Sequence, residues 1–347
     1  MRSLLTASVI STIALVGCSR EESAERPEQV GFIAVVGPGD NDPLWPVLAA
    51  TASRHVAAWQ GMPVRIEAPS RVSSNAQNQL IRKLEAEGMR ALCVQVVDVD
   101  ASRSLLESLR RRGVVVVTMI DEVPVSPSFH HCGWDEHALG EKMAVALGEA
   151  LRGLELTSDP NVGMKEIAII APSALIASMS SNDQAESVGA AIRRYRGFRS
   201  ALTKRSVIEI LEESPCDDPA ELPAVIWDIH KRFPTLDGWV LADGWSAGDV
   251  PPKIAKILRH RIVLTAHALP PMWPLTETEA RVIAVRANYG SIAPHALDQA
   301  HALLRSGMSP RRRIETDLVA VVTQCDWTQY RAIFTAWLAR DPAEDPP

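Results

Sequence analysis

GFIAVVGPGDNDPLWP, residues 31–46, is the stretch from which the rest of this chain can be read. Phe32 to Val36 is apolar without alternation, so a strand made from it needs cover on both faces, the situation inside a parallel sheet. Gly37 ends the run. Asp42 and Pro43 then read as a helix start, with Asp42 at the N-cap and Pro43 at the first helical position. Leu44, Leu48, Val56 and Trp59 follow on one helical face.

The same unit recurs downstream. Val64-Arg65-Ile66 reads as a second strand, and Ser74 with Gln77 reads as a capping box ahead of Leu80, Ile81 and Leu84. Ala91–Val97 (ALCVQVV) is a third strand. Asp100 is expected to cap a helix carrying Leu105, Leu106 and Leu109, which Gly113 stops. Val114–Ile120 (VVVVTMI) is a fourth strand, and a short fifth is expected near Phe129–Cys132. From Glu166 the rhythm restarts: strands at Ile167–Ile170, Val207–Ile210, Gly238–Leu241 and Ile262–Leu264 alternate with helices at Ala185–Leu202, Leu222–Arg232 and Lys253–Leu258. Strands alternating with amphipathic helices imply parallel pairing and right-handed crossovers. The expected fold is therefore α/β, with two doubly wound parallel-sheet lobes in tandem.

Upstream of residue 31 the composition differs. Met1-Arg2 is a short basic start, Leu4 to Gly17 is almost wholly apolar, and Leu15-Val16-Gly17-Cys18 closes the run. That layout is that of a secretory signal, and the run is shorter than the roughly 20 residues a spanning helix needs. A cysteine directly after Gly17 resembles the lipobox of bacterial lipoproteins, which implies lipidation at Cys18. Residues 1–18 are then the signal, and 19–29 (SREESAERPEQ) a flexible tether with a reach of at most about 40 Å. Residues 341–347 (DPAEDPP) read as a disordered tail.

Composition excludes some functions. The formal net charge is −6, whereas a nucleic-acid partner calls for a basic excess. The runs Arg110-Arg111-Arg112 and Arg311-Arg312-Arg313 read as solvated surface. Cys93, Cys132, Cys216 and Cys325 show no CxxC spacing, and their connectivity is not legible from the sequence.

Ordered motifs carry a resemblance to a known family. Asp42-Pro43-Leu44-Trp45, Gln77–Ala91 (QNQLIRKLEAEGMRA) with Asp98-Val99-Asp100-Ala101, and Val117–Asp121 fall in sequence. So do Gly133–Gly140 (GWDEHALG), Arg194–Leu202 (RYRGFRSAL) and Ala242–Ala247 (ADGWSA). Together they resemble the periplasmic sugar-binding proteins of the ribose-binding type, from about Val30 to Val322. The resemblance implies two lobes joined by a three-stranded hinge, with passages near Phe129–Gly133, Val285–Asn288 and Asp317–Val319. It implies an N-terminal lobe of residues 30–131 plus 288–317 and a C-terminal lobe of 132–287 plus 318–340.

The resemblance also implies the site. The positions of Asp42, Gln95, Asp121, Arg194, Asp243 and Arg286 hydrogen-bond the ligand in that family, and an aromatic such as Trp45 stacks on it. The chemistry suits polyols: carboxylates accept hydroxyl hydrogens, Arg donates in a planar fork, and an indole covers the C–H face of a ring. Glu122, Trp134, Trp245 and His267 form a further group of candidates. The chain departs from the family at several points. Asp42 stands where Asn is usual, Glu122 where ribose binders have Arg, and Arg286 where they have Gln. An Asp ahead of the last loop of the second lobe is replaced by Ala266 or His267. Asp42 and Arg194 also have purely structural readings, as a helix cap and as half of an ion pair.

Three other motifs compete and are set aside. Gly244-Trp245-Ser246-Ala247-Gly248 fits the GxSxG elbow of a serine hydrolase using Ser246. However, Pro251-Pro252 follow within a turn, and no HGG-type oxyanion loop precedes it. His130, His131, Cys132, Asp135 and His137 are metal-ligand residue types, but their spacing matches no standard zinc site. Gly37-Pro38-Gly39 lacks the third glycine of a dinucleotide loop. The expectation is a non-enzymatic, exported, lipid-anchored binder, with no cofactor or metal. It would capture a small polar solute, a sugar or sugar-like, for the permease of an ABC importer; the alternative partner is a membrane kinase or chemoreceptor.

Overall fold

The computed structural model describes residues 31–59, 61–120, 123, 129–152, 164–179, 190–204, 207–242, 244, 247–266, 269–307, 313–315, 319–322 and 327–339. They belong to one compact unit, Gly31–Pro347. Cys18 and residues 1–30 lie outside the described set, as do residues 341–347. Among the described residues no helix is long and apolar enough to cross a membrane.

Two parallel sheets organise the chain. In the first, β1 (Phe32–Val36), β2 (Val64–Glu67), β3 (Met89–Val94), β4 (Val115–Met119) and β5 (His130–Gly133) are joined by β11 (Arg313–Glu315), in the order β11-β5-β4-β3-β1-β2. In the second, β6 (Lys165–Ala171), β7 (Ile208–Pro215), β8 (Gly238–Leu241), β9 (Ile262–Thr265) and β10 (Arg281–Ala287) are joined by β12 (Val319–Val322), in the order β12-β10-β9-β8-β6-β7. Without the late strands the two orders are the same, 2-1-3-4-5, one of the common doubly wound arrangements. Every pairing is parallel except β10 with β12. The central strands are dry on both sides: Phe32–Val36 and Gly238–Leu241 are buried throughout, while the edge strand β2 is only half-buried.

Helices α1 (Trp45–Ala57), α2 (Ser74–Ala86) and α3 (Val99–Arg111) belong to the first sheet. Helices α4 (Glu136–Arg152), α5 (Ser173–Ser178), α6 (Ala190–Thr203), α7 (Leu222–Arg232), α8 (Pro252–Leu258) and α9 (Trp273–Thr276) belong to the second. Helix α10 (Tyr289–Ser306) follows β10 yet packs on β1, β3, β4 and β5. Helix α11 (Trp327–Ala339) is tied to both sides: Arg54 Nη1 donates to the Trp337 carbonyl at 3.0 Å, and Arg331 Nη2 to the Trp273 carbonyl at 2.9 Å. The chain thus passes between the sheets at Trp134-Asp135 and at Asn288, and β11 and β12 lie in different sheets.

Three expected caps are displaced. Helix α1 begins at Trp45, with Pro46 rather than Pro43 in its first turn, and Asp42 caps it from outside. Ser73, not Ser74, caps α2, its hydroxyl accepting from Ala76 N at 3.4 Å. Asp98, not Asp100, caps α3 through Ala101 N at 3.0 Å, and Asp100 instead pairs with Arg103 in the first turn. In the last two cases an adjacent oxygen in extended backbone reaches the free N–H groups better, as a cap requires.

Candidate functional site

In open parallel sheets, ligands sit at the carboxyl ends of the strands. The topology brings those ends of both sheets together. Gly133 closes β5 at the carboxyl end of the first sheet, and Glu136 opens α4, which leads into β6 and so starts at the carboxyl end of the second. Only Trp134 and Asp135 separate them. Asn288 likewise joins the carboxyl end of β10 to the start of α10.

On the first sheet, Gln77 builds the rim. Its amide Nε2 donates to the carbonyls of Gly37 and Gln95, both at 2.8 Å, and its Oε1 accepts from Val97 N at 3.1 Å. One buried side chain therefore ties the ends of β1 and β3 together. The expected capping box gives way to this role because Gln77 faces the sheet and is fully buried. The turn after β1 is held by Asn41 Oδ1, which accepts from Val72 N at 2.8 Å, and by Asp42 Oδ1, which accepts from Leu44 N at 2.9 Å and Trp45 N at 3.0 Å. Burial pushes the Asp42 carboxyl up, opposed by those two amides. A Cβ at Gly37 would lie 2.3 Å from the Trp45 ring, so only glycine fits. The indole is 6% exposed and packs in the core beneath the turn.

Gln95 is buried, and its Oε1 has no hydrogen-bond partner among the described residues. A buried acceptor left open costs about 1–3 kcal/mol, which marks the end of β3 as a place where another group belongs. At the end of β4, Ile120 has φ +63°, in the left-handed region where a β-branched residue is strained. Asp121 and Glu122 follow it and lie outside the described residues.

On the second sheet, a pocket at the carboxyl ends of β6, β7 and β8 is lined by Ala171, Pro172, Cys216, Asp217, Leu241 and Gly244 among others. Asp217 accepts from Ser173 N at 2.7 Å and from its hydroxyl at 2.6 Å, and these bonds hold the carboxyl below its usual range. Asp243, Trp245, Ser246 and His267 border this end in sequence but lie outside the described residues. Arg286 is placed by its backbone on β10, opposite Ala320 of β12.

Arg194 and Trp134 meet at the hinge. Arg194 Nη1 donates to Glu136 Oε2 at 3.1 Å, and Trp134 Nε1 donates to Glu136 Oε1 at 3.0 Å. Glu136 is 2% exposed and Arg194 8%. Burial pushes the Glu136 carboxyl up, with Arg194 opposing. The Trp134 ring stands edge-on to Tyr289 with centroids 5.9 Å apart, so the first interlobe passage packs on the residue that follows the second. Two glycines let α4 and α6 approach closely enough for the pair to form: a Cβ on Gly140 would sit 1.9 Å from the Arg194 carbonyl, and one on Gly197 2.1 Å from the His137 carbonyl. Neither Glu136 nor Gln77 was among the sequence candidates. The first reads as an ordinary first-turn acid and the second as half of a capping box.

The histidine–cysteine run on β5 is dispersed. His131 Nδ1 lies 3.0 Å from the Thr118 hydroxyl, Cys132 Sγ donates to the Ile292 carbonyl at 3.3 Å, and His137 is exposed. Among the described residues, no group of three His, Cys, Asp or Glu side chains is placed to hold a metal ion. Cys93, Cys132 and Cys216 form no disulfide among the described residues, and burial pushes Cys132 up to about 12.

Two sheets of one strand order, joined by repeated passages at their carboxyl ends, define the type I two-lobed binding-protein architecture. The sequence matches the periplasmic binding protein domain over residues 33–273, more than half of its length. The chain belongs to that family. Its fold is similar to that of an ABC transporter solute-binding protein from Burkholderia graminis in complex with D-arabinose. That likeness has a TM-score of 0.67 and 18% identity, covering 86% of this chain and 97% of that one. An arabinose-binding protein from Geobacillus stearothermophilus is similar at TM-score 0.66 and 13% identity, covering 86% and 98%. A periplasmic solute-binding protein from Actinobacillus succinogenes with bound D-allose is similar at TM-score 0.64 and 12% identity, covering 86% and 100%. No curated protein matches the sequence.

Proposed function

We propose that this protein captures a small polar solute, a sugar or sugar-like polyol, between its two lobes and hands the closed form to the permease of an ABC importer. The observation that carries the reading is the doubled sheet, whose carboxyl ends are bridged by passages only one or two residues long at Trp134-Asp135 and Asn288. Such an arrangement can close as a hinge on whatever sits between the ends, driven by contacts made only in the closed state. The open Gln95 acceptor and the sugars named for structurally similar proteins support a polyol ligand.

In this reading Asp42, Gln95, Asp121, Asp243 and Arg286 contact the ligand, with Glu122, Trp245 and His267 near it. Trp45 and Trp134 support the rim and the hinge, and Arg194 contacts the ligand from its place beside Glu136. The protein acts outside the cytoplasm, anchored through a lipid on Cys18. Binding rather than catalysis is its role. A thermal-shift screen against pentoses, hexoses, polyols, nucleosides and amino acids tests the proposal. A sugar or polyol should raise the midpoint, and Asp121→Ala should abolish that rise while leaving the ligand-free midpoint near wild type. Stabilisation by amino acids alone would overturn the sugar reading.

A further inference from the structure

The described surface carries one basic groove that the solute site does not use. It lies between α7 and α8 and is lined by Trp227, Lys253, Lys256, Ile257, Arg259 and Arg261, with His230 at its edge. No carboxylate lines it, although the chain as a whole has a formal net charge of −6. Lys253 Nζ stands 2.9 Å from the Trp227 ring centroid, a cation–π contact. Arg259 Nε donates to Glu279 at 2.7 Å, which leaves its outer N–H groups unassigned. Lys256 and Arg261 form no ion pair among the described residues. Helix α8 runs from the carboxyl end of β8 back toward the amino end of β9, and α7 ends before β8 begins. Arg259, Arg261 and His230 are thus at the opposite end of the sheet from the solute site.

We propose that this groove docks an acidic polypeptide segment of a partner protein, its carboxylates paired with Lys253, Lys256, Arg259 and Arg261 and an apolar residue laid on Trp227 and Ile257. Charge complementarity selects an anion, because Lys253, Lys256, Arg259 and Arg261 cluster with Glu279 as their one paired carboxylate among the described residues, and the surplus cations gain when a carboxylate chain enters. Shape selects the kind of anion. A groove between two helices accepts an extended segment, whereas a planar bilayer meets only its outer lysines. The half-buried indole, backed by the buried Ile257, offers an apolar contact that phosphate alone would not use. A partner anchored at the Arg259–Arg261 end is held away from the solute site, which lies at the opposite end of the sheet.

The test titrates a fluorescein-labelled peptide of glutamates flanking one leucine into the full chain. The matching glutamine peptide, inorganic phosphate and phosphatidylglycerol vesicles serve as alternatives. The glutamate peptide should bind, weaken as salt is raised, and bind at least about tenfold more weakly to the Lys253→Glu/Lys256→Glu variant. Lys253→Gln/Lys256→Gln should fall between, which separates charge loss from any damage to folding. No binding, equal binding to the reversed variant, equal binding of the glutamine peptide, or a preference for vesicles or free phosphate over the peptide would each overturn the proposal. The reversed variant should keep any sugar-induced thermal shift of the wild type. A failed docking test therefore leaves the solute reading standing, and a failed sugar screen leaves the docking result interpretable.

Discussion

Arg194→Met would probe the hinge most sharply. It leaves the Glu136 carboxylate buried at 2% exposure, with the Trp134 N–H donating at 3.0 Å and the Arg193 charge nearby but without its ion-pair partner. Removing one partner of a buried ion pair typically costs about 3–5 kcal/mol. With the methionine filling most of the arginine's volume, little of that loss is a cavity. A loss of about 4 kcal/mol corresponds to a midpoint drop on the order of 8–16 °C for a protein somewhat smaller than this one, and urea denaturation at neutral pH would measure it. The pH dependence identifies the cause. Burial already raises the Glu136 carboxyl and Arg194 opposes that rise, so without Arg194 the folded-state value climbs further above the unfolded one. An acid with a raised folded value binds its proton more tightly when folded, so its penalty applies above that value and is relieved as pH falls through it. The gap between wild type and variant should therefore shrink on acidification from neutral pH toward the carboxylate range. Adding Glu136→Leu should recover much of the loss. A gap independent of pH, with no recovery in the double variant, would refute the buried-charge account and leave packing as the cause.

Other expectations follow from the same geometry. Gly140→Ala places a methyl 1.9 Å from the Arg194 carbonyl, and the forced separation of α4 and α6 should cost at least about 3 kcal/mol, read by chemical denaturation. Gln77→Ala removes three hydrogen bonds from the rim. It should lose about 1–3 kcal/mol of stability and also weaken solute affinity by loosening the ends of β1 and β3. Asp42→Ala should cost about 1 kcal/mol through the lost cap, and Asp42→Asn, which keeps the acceptor, should cost much less in the same denaturation series.

The doubly wound fold was legible because the central strands are dry on both faces. A run such as Phe32–Val36 has no reason to be continuously apolar otherwise, and it recurs at nearly the expected places in both halves. Cap positions were misread by one or two residues at α2 and α3, since neighbouring Ser and Asp side chains compete for the same N–H groups and only the backbone conformation decides between them. Gln77 and Glu136 were not legible as rim and hinge residues. Their roles come from partners distant in sequence, the Gly37 carbonyl for one and Arg194 for the other, and nothing local distinguishes a helical Gln or Glu turned inward from one turned to water. Arg194 was recognised as important, but its buried Glu136 partner and the glycine crossing that permits it appear only once α4 and α6 are packed.

Titration calorimetry of the full chain against a panel of pentoses, hexoses and polyols tests the central claim most directly. At least one should bind with one-to-one stoichiometry, and at about 100 times its dissociation constant it should add roughly 2.7 kcal/mol to stability. Asp121→Ala should abolish both the heat and the added stability. A panel in which no sugar or polyol binds, with the protein folded as judged by its cooperative unfolding, would contradict the account.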